Sequence, residues 1–296
     1  MLSVSSAKQG LLCGFGAFLL WGIFPIYFKW LGAVPPYRIL SHRILWSAVF
    51  TVLLLTLGGN WRRVVRVLQD RRRVVLLGIT GILVGCNWFI YIWAVNNDHV
   101  LDASLGYFLM PLVTICFGVI FFRERMRPLQ IFAVSLAVCG VLIQFWMAGS
   151  VPVVALGLAL TFASYGLLRK KMAVDSQSGM LLETVWLLPF ALCFLYFSSG
   201  SNVTEPVSAV WLQPLLLMGT GVITTVPLLL YNTAAIHLRM ATLGFMQYIS
   251  PCMVFLLGAF VYGETLGVGR VVSFALIWAA LLLFTMDGLR ARRRRV

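Results

Sequence analysis

The chain has 296 residues, of which 61% are hydrophobic and only 11% are charged, and its formal net charge is +14. An average soluble domain carries about a quarter charged residues, so this composition excludes an ordinary soluble protein and indicates one embedded in lipid. A helix needs about 20 apolar residues to cross the hydrocarbon core of a bilayer.

Ten stretches of the chain are long enough to cross a membrane, and short connections between them leave no room for a separate soluble domain. In the longest connection, residues 58–72, arginines alternate with valine and leucine over Trp61–Leu68. That pattern favours a short amphipathic helix on the inner leaflet, with a plain cytoplasmic loop as the alternative. The predicted spans are Gly10–Trp30, Pro36–Leu57, Arg73–Trp93, Asp102–Phe122, Pro128–Met147, Val151–Leu168, Met180–Phe197, Trp211–Tyr231, Ala241–Tyr262 and Val268–Met286.

The positive charges fall almost entirely on one side of the predicted spans. Of the 23 Lys and Arg residues, all but Lys29, Arg38, Arg43 and Arg270 belong to the ends and connections of that side. The positive-inside rule therefore predicts that this side, with both termini, faces the cytoplasm. Beside a tenth span, the terminal run Arg292–Arg295 favours an anchor on anionic inner-leaflet lipids and not a nucleic-acid contact. The residues indicate no oligomeric state.

The chain also repeats itself at a shift of 140 residues without a gap. Because each copy holds five spans, an odd number, the second copy is expected to enter the membrane from the opposite side, as in many secondary transporters. We predict an all-α integral membrane protein with ten transmembrane helices, arranged as two inverted five-helix repeats over residues 1–147 and 148–296. The matched pairs include Trp46 and Trp186, Tyr91 and Tyr231, Pro111 and Pro251, Gly118 and Gly258, and Glu124 and Glu264.

Charged side chains inside the spans are the first candidates for function. A charge in hydrocarbon costs about 2.5–3.5 kcal/mol on insertion scales, so it indicates water or a functional role. Arg43 and Glu183 are matched across the repeat, but they belong toward opposite faces and meet only if both approach the midplane. We expect Arg43 to hold a carboxylate on a solute and Glu183 to carry a coupling proton. The alternative is that each charge faces a cavity or is neutralised by water.

Aromatic and amide side chains also occur deeper than interfacial anchors should. They indicate a cavity wall, although an amide at this depth often serves as an interhelical hydrogen bond instead. The matched prolines Pro111 and Pro251 are predicted to kink their helices and act as hinges, with packing alone as the alternative. The residues predicted to line the substrate cavity are Trp21, Tyr27, Arg43, Trp46, Asn87, Tyr91, Tyr231 and Gln247, with Glu183 beside them.

Motifs for enzymatic chemistry are missing from the sequence. It contains no G-x-x-x-x-G-K-[ST], no H-E-x-x-H and no G-x-S-x-G, and its six cysteines are scattered singly through the spans. We therefore expect no catalytic residue, metal site or cofactor. Glu124 and Glu264, which end matched spans, are expected to make helix-end contacts.

Several motifs together resemble one transporter family. Gly22–Lys29, Ser41–Ser47, Leu105–Leu112 and Leu243–Pro251 resemble the RarD family, in the EamA group of the drug/metabolite transporter superfamily. The resemblance covers nearly the whole chain and implies two EamA-type halves, a bacterial inner-membrane location and permease activity. The chain departs from the family at Tyr37, where many relatives carry an acidic residue.

The leading hypothesis is a secondary transporter that moves a small organic solute outward by alternating access between its halves. A membrane scaffold or regulator without transport is the first alternative, and a membrane-embedded enzyme is the second. A closed bundle without a water-lined cavity would favour the scaffold.

Overall fold

The computed structural model describes residues 4–31, 34–97, 99–148, 153–198, 212–261 and 267–293. These residues form helices and short connections with no strand, and ten helical stretches among them are long and apolar enough to cross a membrane. The prediction of an all-α fold with ten spans is confirmed. The helices are α1 (Val4–Trp30), α2 (Pro36–Leu57), α3 (Trp61–Leu68), α4 (Arg71–Asn96), α5 (Val100–Phe122), α6 (Pro128–Ala148), α7 (Val153–Met172), α8 (Ser176–Ser198), α9 (Leu212–His237), α10 (Met240–Gln247), α11 (Ile249–Leu256) and α12 (Val268–Arg293).

The most extensive helix contacts join the first five spans to the last five. Helix α1 packs on α9 and α11, α2 on α8 and α9, α4 on α7 and α8, α5 on α7 and α10, and α6 on α12. A shift of 140 residues converts the α1–α9 contact into the α4–α7 contact, and α2–α9 into α4–α8. The core of the molecule is therefore the interface between the two parts of the chain.

Two matched glycines allow close approaches between these helices. A side chain at Gly221 of α9 would collide with the backbone of Trp46 in α2, and one at Gly81 of α4 would meet the backbone of Glu183 in α8. Small residues let helix backbones approach in lipid, where packing drives association. The Ser47 hydroxyl adds a hydrogen bond to the Gly221 carbonyl at 3.3 Å. These two close contacts fix the position of Trp46 along α9 and that of Glu183 along α4.

The short helix α3 forms where the amphipathic pattern predicts it. Its Val64 and Val67 are 3% and 5% exposed, whereas its arginines face outward. Val64 packs with Leu55 of α2 and Leu181 of α8. Although α3 belongs to the first part of the chain, its apolar face is therefore buried partly against the second.

The ninth span is broken, and the fourth is not. Helix α10 ends at Gln247, α11 begins at Ile249, and a short π-helical turn, Leu257–Val261, completes the span. Pro251 explains the break because it has no N–H to donate toward Gln247 and its ring crowds that turn. Its match Pro111 lies inside the continuous helix α5. The assignment of these prolines as hinges stays a prediction.

Candidate functional site

Arg43, in the first half of α2, lies against two aromatic rings and a threonine. Its Nε donates to Thr224 Oγ1 of α9 at 2.9 Å. The guanidinium carbon is 4.7 Å from the ring centroid of Trp88 in α4 and 5.7 Å from that of Phe28 in α1. In the part of the chain that the structure describes, no carboxylate is ion-paired with Arg43. The aromatic faces stabilise the cation, and among the described residues the hydrogen bond of Arg43 to Thr224 uses Nε and not the terminal guanidinium nitrogens.

Two tyrosines extend this site toward α4 and α5. The rings of Tyr91 and Tyr107 are 6.0 Å apart, and both tyrosines lie near the Arg43 charge. Each tyrosine is 39% exposed, and Arg43 is half-buried. The accessible space that these side chains border lies between α1, α2, α4, α5 and α9. We call this space the Arg43 cavity; its walls are Phe28, Arg43, Trp88, Tyr91, Tyr107 and Thr224.

An aromatic cluster fills the bundle beside this cavity. Trp21 lies 5.7 Å from Tyr231 and from Phe162, and Tyr165 stacks on Tyr231 at 6.1 Å with an interplanar angle of 17°. The Trp88 ring that carries the Arg43 guanidinium belongs to the same core cluster. Tyr231 and Tyr165 are fully buried, so the cluster separates the cavity from the groups beyond Tyr165.

Beyond Tyr165 lies a buried polar network around Glu183. Thr80 donates to Glu183 Oε1 at 2.7 Å, and the Tyr165 hydroxyl lies 3.2 Å from Oε2 and 2.9 Å from Asn232 Oδ1. Arg169 Nε is 3.6 Å from Oε1, which is ion-pair distance without a hydrogen bond. Glu183 is 2% exposed and Arg169 is fully buried. A buried carboxylate needs such partners, and here they come from α4 and α7.

Arg169 corrects the sequence analysis. The charge pattern counts it with the surface connections, whereas the structure buries it completely and leaves its three guanidinium nitrogens without a hydrogen-bond partner. The signal was available: Arg169 follows Tyr165 by four residues and so shares its helix face. Direct pairing of Arg43 with Glu183 does not occur, since Glu183 is paired with Arg169 in the described chain.

The remaining predicted cavity residues are placed differently. Asn87 donates to Leu158 O at 2.9 Å and Thr161 Oγ1 at 3.0 Å, so its amide joins α4 to α7. Gln247 accepts from Thr114 at 3.1 Å and lies beside the Tyr231 hydroxyl. The Tyr27 hydroxyl donates to a carbonyl of α9, and Trp46 lines a separate pocket farther out.

Sequence reasoning did not select Trp88 or Tyr107 as cavity residues. Tyr107 is the repeat match of Gln247, a signal that could have found it. Together, Arg43 and Tyr91 lie in the cavity, while Trp21, Tyr231 and Gln247 lie in or beside the aromatic cluster.

Hydrogen bonds join the two parts of the chain at the arginine-rich end of the bundle, where Glu183 lies. Glu124 accepts from the backbone N–H groups of Met240 and Ala241, at 2.7 and 3.0 Å, and so caps α10. Arg239 donates to the carbonyl of Arg125 at 2.6 Å, and within the second part of the chain Lys170 donates to the carbonyl of Leu238 at the end of α9. The helix-end contact expected for Glu124 is present; that of Glu264 lies outside the described residues.

Comparison with known proteins gives consistent matches. The EamA-like transporter family matches residues 8–146. Protein RarD of Salmonella typhi is 49% identical over 294 residues, which cover 99% of this chain and 100% of that protein. An uncharacterized transporter of Vibrio cholerae is 49% identical over 96% of this chain and 94% of its own length. A crystal structure with 21% identity has a TM-score of 0.71 over 94% of this chain and 97% of that one, which shows a shared fold.

Proposed function

Because the chain belongs to the RarD family of EamA-type transporters, in the drug/metabolite transporter superfamily, we propose that it exports a small organic solute by alternating access. Family membership and ten apolar helices make it a multi-pass membrane transporter of small molecules. The proposal concerns the direction, the mechanism and the residues that bind the solute. One observation carries it: a polar cavity around Arg43 toward one end of the bundle, and a buried ionic network around Glu183 toward the other.

In this proposal the moving parts are two inverted repeats, residues 1–147 and 148–296. The repeat of 140 residues and the exchange of helix contacts under that shift support it. Repeats of this kind alternate by rocking against each other around a site near the midplane. We assign the hinges to Pro111 and to the break before Pro251, because a helix without a backbone hydrogen bond bends there most easily.

The solute site is the Arg43 cavity. Arg43 binds an anionic or strongly polar group of the solute, because a guanidinium offers several donors in a fixed plane. The rings of Trp88, Tyr91 and Tyr107 contact its apolar part. A cavity lined by a cation also favours a transporter over a scaffold, since a charge that serves packing alone is expensive in a bilayer.

Glu183 is the coupling group in this proposal. Its carboxylate lies in a closed network at the end opposite the Arg43 cavity. When that end opens, the contact to Thr80, which belongs to the other repeat, separates, and a proton replaces the stabilisation that this contact gave to the charge. The Glu183 network and the Arg43 cavity are then open to water in different states of the cycle.

The arginine-rich end faces the cytoplasm in this proposal, with both termini there and with the inner membrane as the location. The uneven distribution of the 23 Lys and Arg residues supports this orientation. The outward arginines of α3, together with the sequence run Arg292–Arg295, then contact anionic lipids of the inner leaflet in this proposal. Labelling of single cysteines at Arg66 and Arg290 from each side of the membrane tests the orientation; labels from opposite sides would overturn it.

Transport itself is tested in two stages. Metabolite profiles of medium from deletion and overexpressing cells identify the exported solute, which is then measured in proteoliposomes with purified wild-type protein, Arg43→Ala and Glu183→Gln. The proposal expects loss of export with Arg43→Ala and loss of its pH dependence with Glu183→Gln. Arg270→Gln, a cation at the same end as Arg43 but on α12, is the control. Unchanged transport in Arg43→Ala and Glu183→Gln would refute the solute-binding role of Arg43 and the coupling role of Glu183.

A further inference from the structure

A second pocket lies at the end of the bundle opposite the arginine-rich end. It has a volume of about 380 Å³ between α2, α8 and α9. From α2 it is lined by Arg38, His42 and Trp46, from α8 by Leu195, and from α9 by Gln213 and Leu217. It is distinct from the Arg43 cavity, whose walls come from α1, α2, α4, α5 and α9, and none of the pocket residues named here lines that cavity.

The pocket corresponds, under the 140-residue shift, to the groove between α2, α4 and α8 in which α3 packs at the other end of the bundle. Its residues Val34, His42, Leu195 and Leu217 match, at a shift of 140, the residues Val174, Leu182, Leu55 and Leu77. Those four pack on Val64 and Val67 of α3 in two small clusters. The same arrangement of three helices therefore holds two buried valines at the arginine-rich end and encloses a pocket at the other.

The pocket and the groove that holds α3 differ in charge. Arg38 and His42 line the pocket where the matched positions on α8 are Ser178 and Leu182. The Nδ1 atom of His42 is buried and has no hydrogen-bond partner among the described residues. A buried polar atom without a partner indicates a ligand that supplies one. A ligand that fits this pocket should therefore carry hydrogen-bonding groups and negative charge as well as an apolar part.

The depth of the lining residues fits an amphiphile. Arg38 and Gln213 lie in the first turn of their helices, at the level of lipid headgroups, and Leu217 lies about one turn deeper. His42 lies about as deep as Leu217, Leu195 lies in the last turn of α8, and Trp46 lies deepest. The pocket thus has a cation at its mouth, a polar group one turn below it and an apolar ring at its base.

We propose that this pocket binds the headgroup of an anionic phospholipid, with the phosphate between Arg38 and His42 and the first methylenes against Leu195 and Leu217. Arginine binds phosphate through paired N–H donors, and anionic lipids are attracted to such cations. In this proposal the lipid packs between α2, α8 and α9. It takes the position that α3 takes between α8, α2 and α4 at the other end.

Native mass spectrometry of the full-length protein, titrated with phosphatidylglycerol or with phosphatidylcholine of the same acyl chains, tests this proposal. We expect at least one phosphatidylglycerol to bind about tenfold more tightly than phosphatidylcholine. The double variant Arg38→Gln with His42→Gln should remove that preference, whereas Arg270→Gln should keep it within twofold. If the double variant is unstable, Leu217→Trp provides a second test, because it fills the pocket without changing its charge and should also abolish tight binding.

Three results would overturn the proposal. Equal binding of the two lipids would remove the charge preference. Inorganic phosphate that competes as strongly as phosphatidylglycerol would make the pocket a site for soluble anions. A disulfide formed in high yield between cysteines at positions 217 and 203 would assign the pocket to the chain's own residues. Because lipid binding is measured without transport, these results are independent of the proposed export activity.

Discussion

Arg43 and Glu183 are each the eighth residue of their helix, and each side chain hydrogen-bonds a threonine of a helix in the other half of the chain. Arg43 reaches Thr224 of α9, and Glu183 accepts from Thr80 of α4, the repeat match of α9. Both lie in the described part of the chain, and they do not pair with each other. Matched positions thus carry opposite charges at opposite depths, one facing a cavity and one sealed.

The sealed charge should be important for stability. Glu183→Gln leaves the Arg169 guanidinium fully buried without a charged partner. Breaking a buried ion pair costs about 3–5 kcal/mol, and the long 3.6 Å contact favours the lower value, about 3 kcal/mol. Denaturant unfolding in detergent micelles measures this loss. The double variant Glu183→Gln with Arg169→Met removes both charges and should recover most of the stability; an equal loss in both variants would contradict the explanation.

Arg43 should matter for transport and little for folding. Arg43→Lys keeps the charge but loses the planar group that lies over Trp88 and donates to Thr224. We expect solute export to fall at least tenfold, while the free energy of unfolding changes by less than about 1 kcal/mol, the value of one hydrogen bond. Thr224→Val is the matched control, since it removes that hydrogen bond and leaves the cation. A similar loss of export in Thr224→Val would assign the effect to the hydrogen bond.

Glu124 should hold the start of α10. Glu124→Ala removes the acceptor for the N–H groups of Met240 and Ala241 and should lower stability by about 1–2 kcal/mol. Hydrogen exchange of those two amides should accelerate. Asp70→Ala is the control, because Asp70 caps α4 through Arg73 N within its own half. It should lose similar stability without changing exchange in α10, and faster exchange there would refute the assignment.

The glycine crossings should be sensitive to a single methyl group. Gly221→Ala places a Cβ against the backbone of Trp46 and should destabilise the protein by about 2–3 kcal/mol. Gly288→Ala in α12 meets no atom within 4 Å and should be neutral or stabilise the helix by up to about 1 kcal/mol. Thermal unfolding of the two variants side by side measures the difference. Equal melting temperatures would mean that the α2–α9 contact is looser than described.

The spans and the amphipathic helix were predictable because both depend on local sequence. Apolar length alone defines a span, and the alternation in Trp61–Leu68 defines a two-faced helix. The break before Pro251 was predictable only as a kink, because its match Pro111 lies in a continuous helix with the same chemistry. Neighbouring helices decide which of the two prolines interrupts the backbone.

The site was predictable only in part, because sequence does not specify how each helix is rotated. Arg43 and Tyr91 were selected from charge and symmetry, and the structure brings them into one group of side chains with Tyr107; their role in binding a solute stays a prediction. Asn87 shares the helix face of Tyr91, but its amide is used in hydrogen bonds to Leu158 and Thr161 of α7. In the sequence, Arg169 resembles a helix-end cation beside two lysines. In the structure its side chain lies on the face of α7 that packs inside the bundle, and it is fully buried.

The cross-links at the arginine-rich end also determine how the molecule can move. Glu124 holds α10, and Arg239 holds the residues that follow α5. In the proposed cycle, separation of the halves at this end breaks both contacts in one step, because each joins one half to the other. An intermediate with only one contact broken keeps the other restraint and gains little freedom. The protein should therefore switch between two discrete states, with a high barrier, and not open gradually.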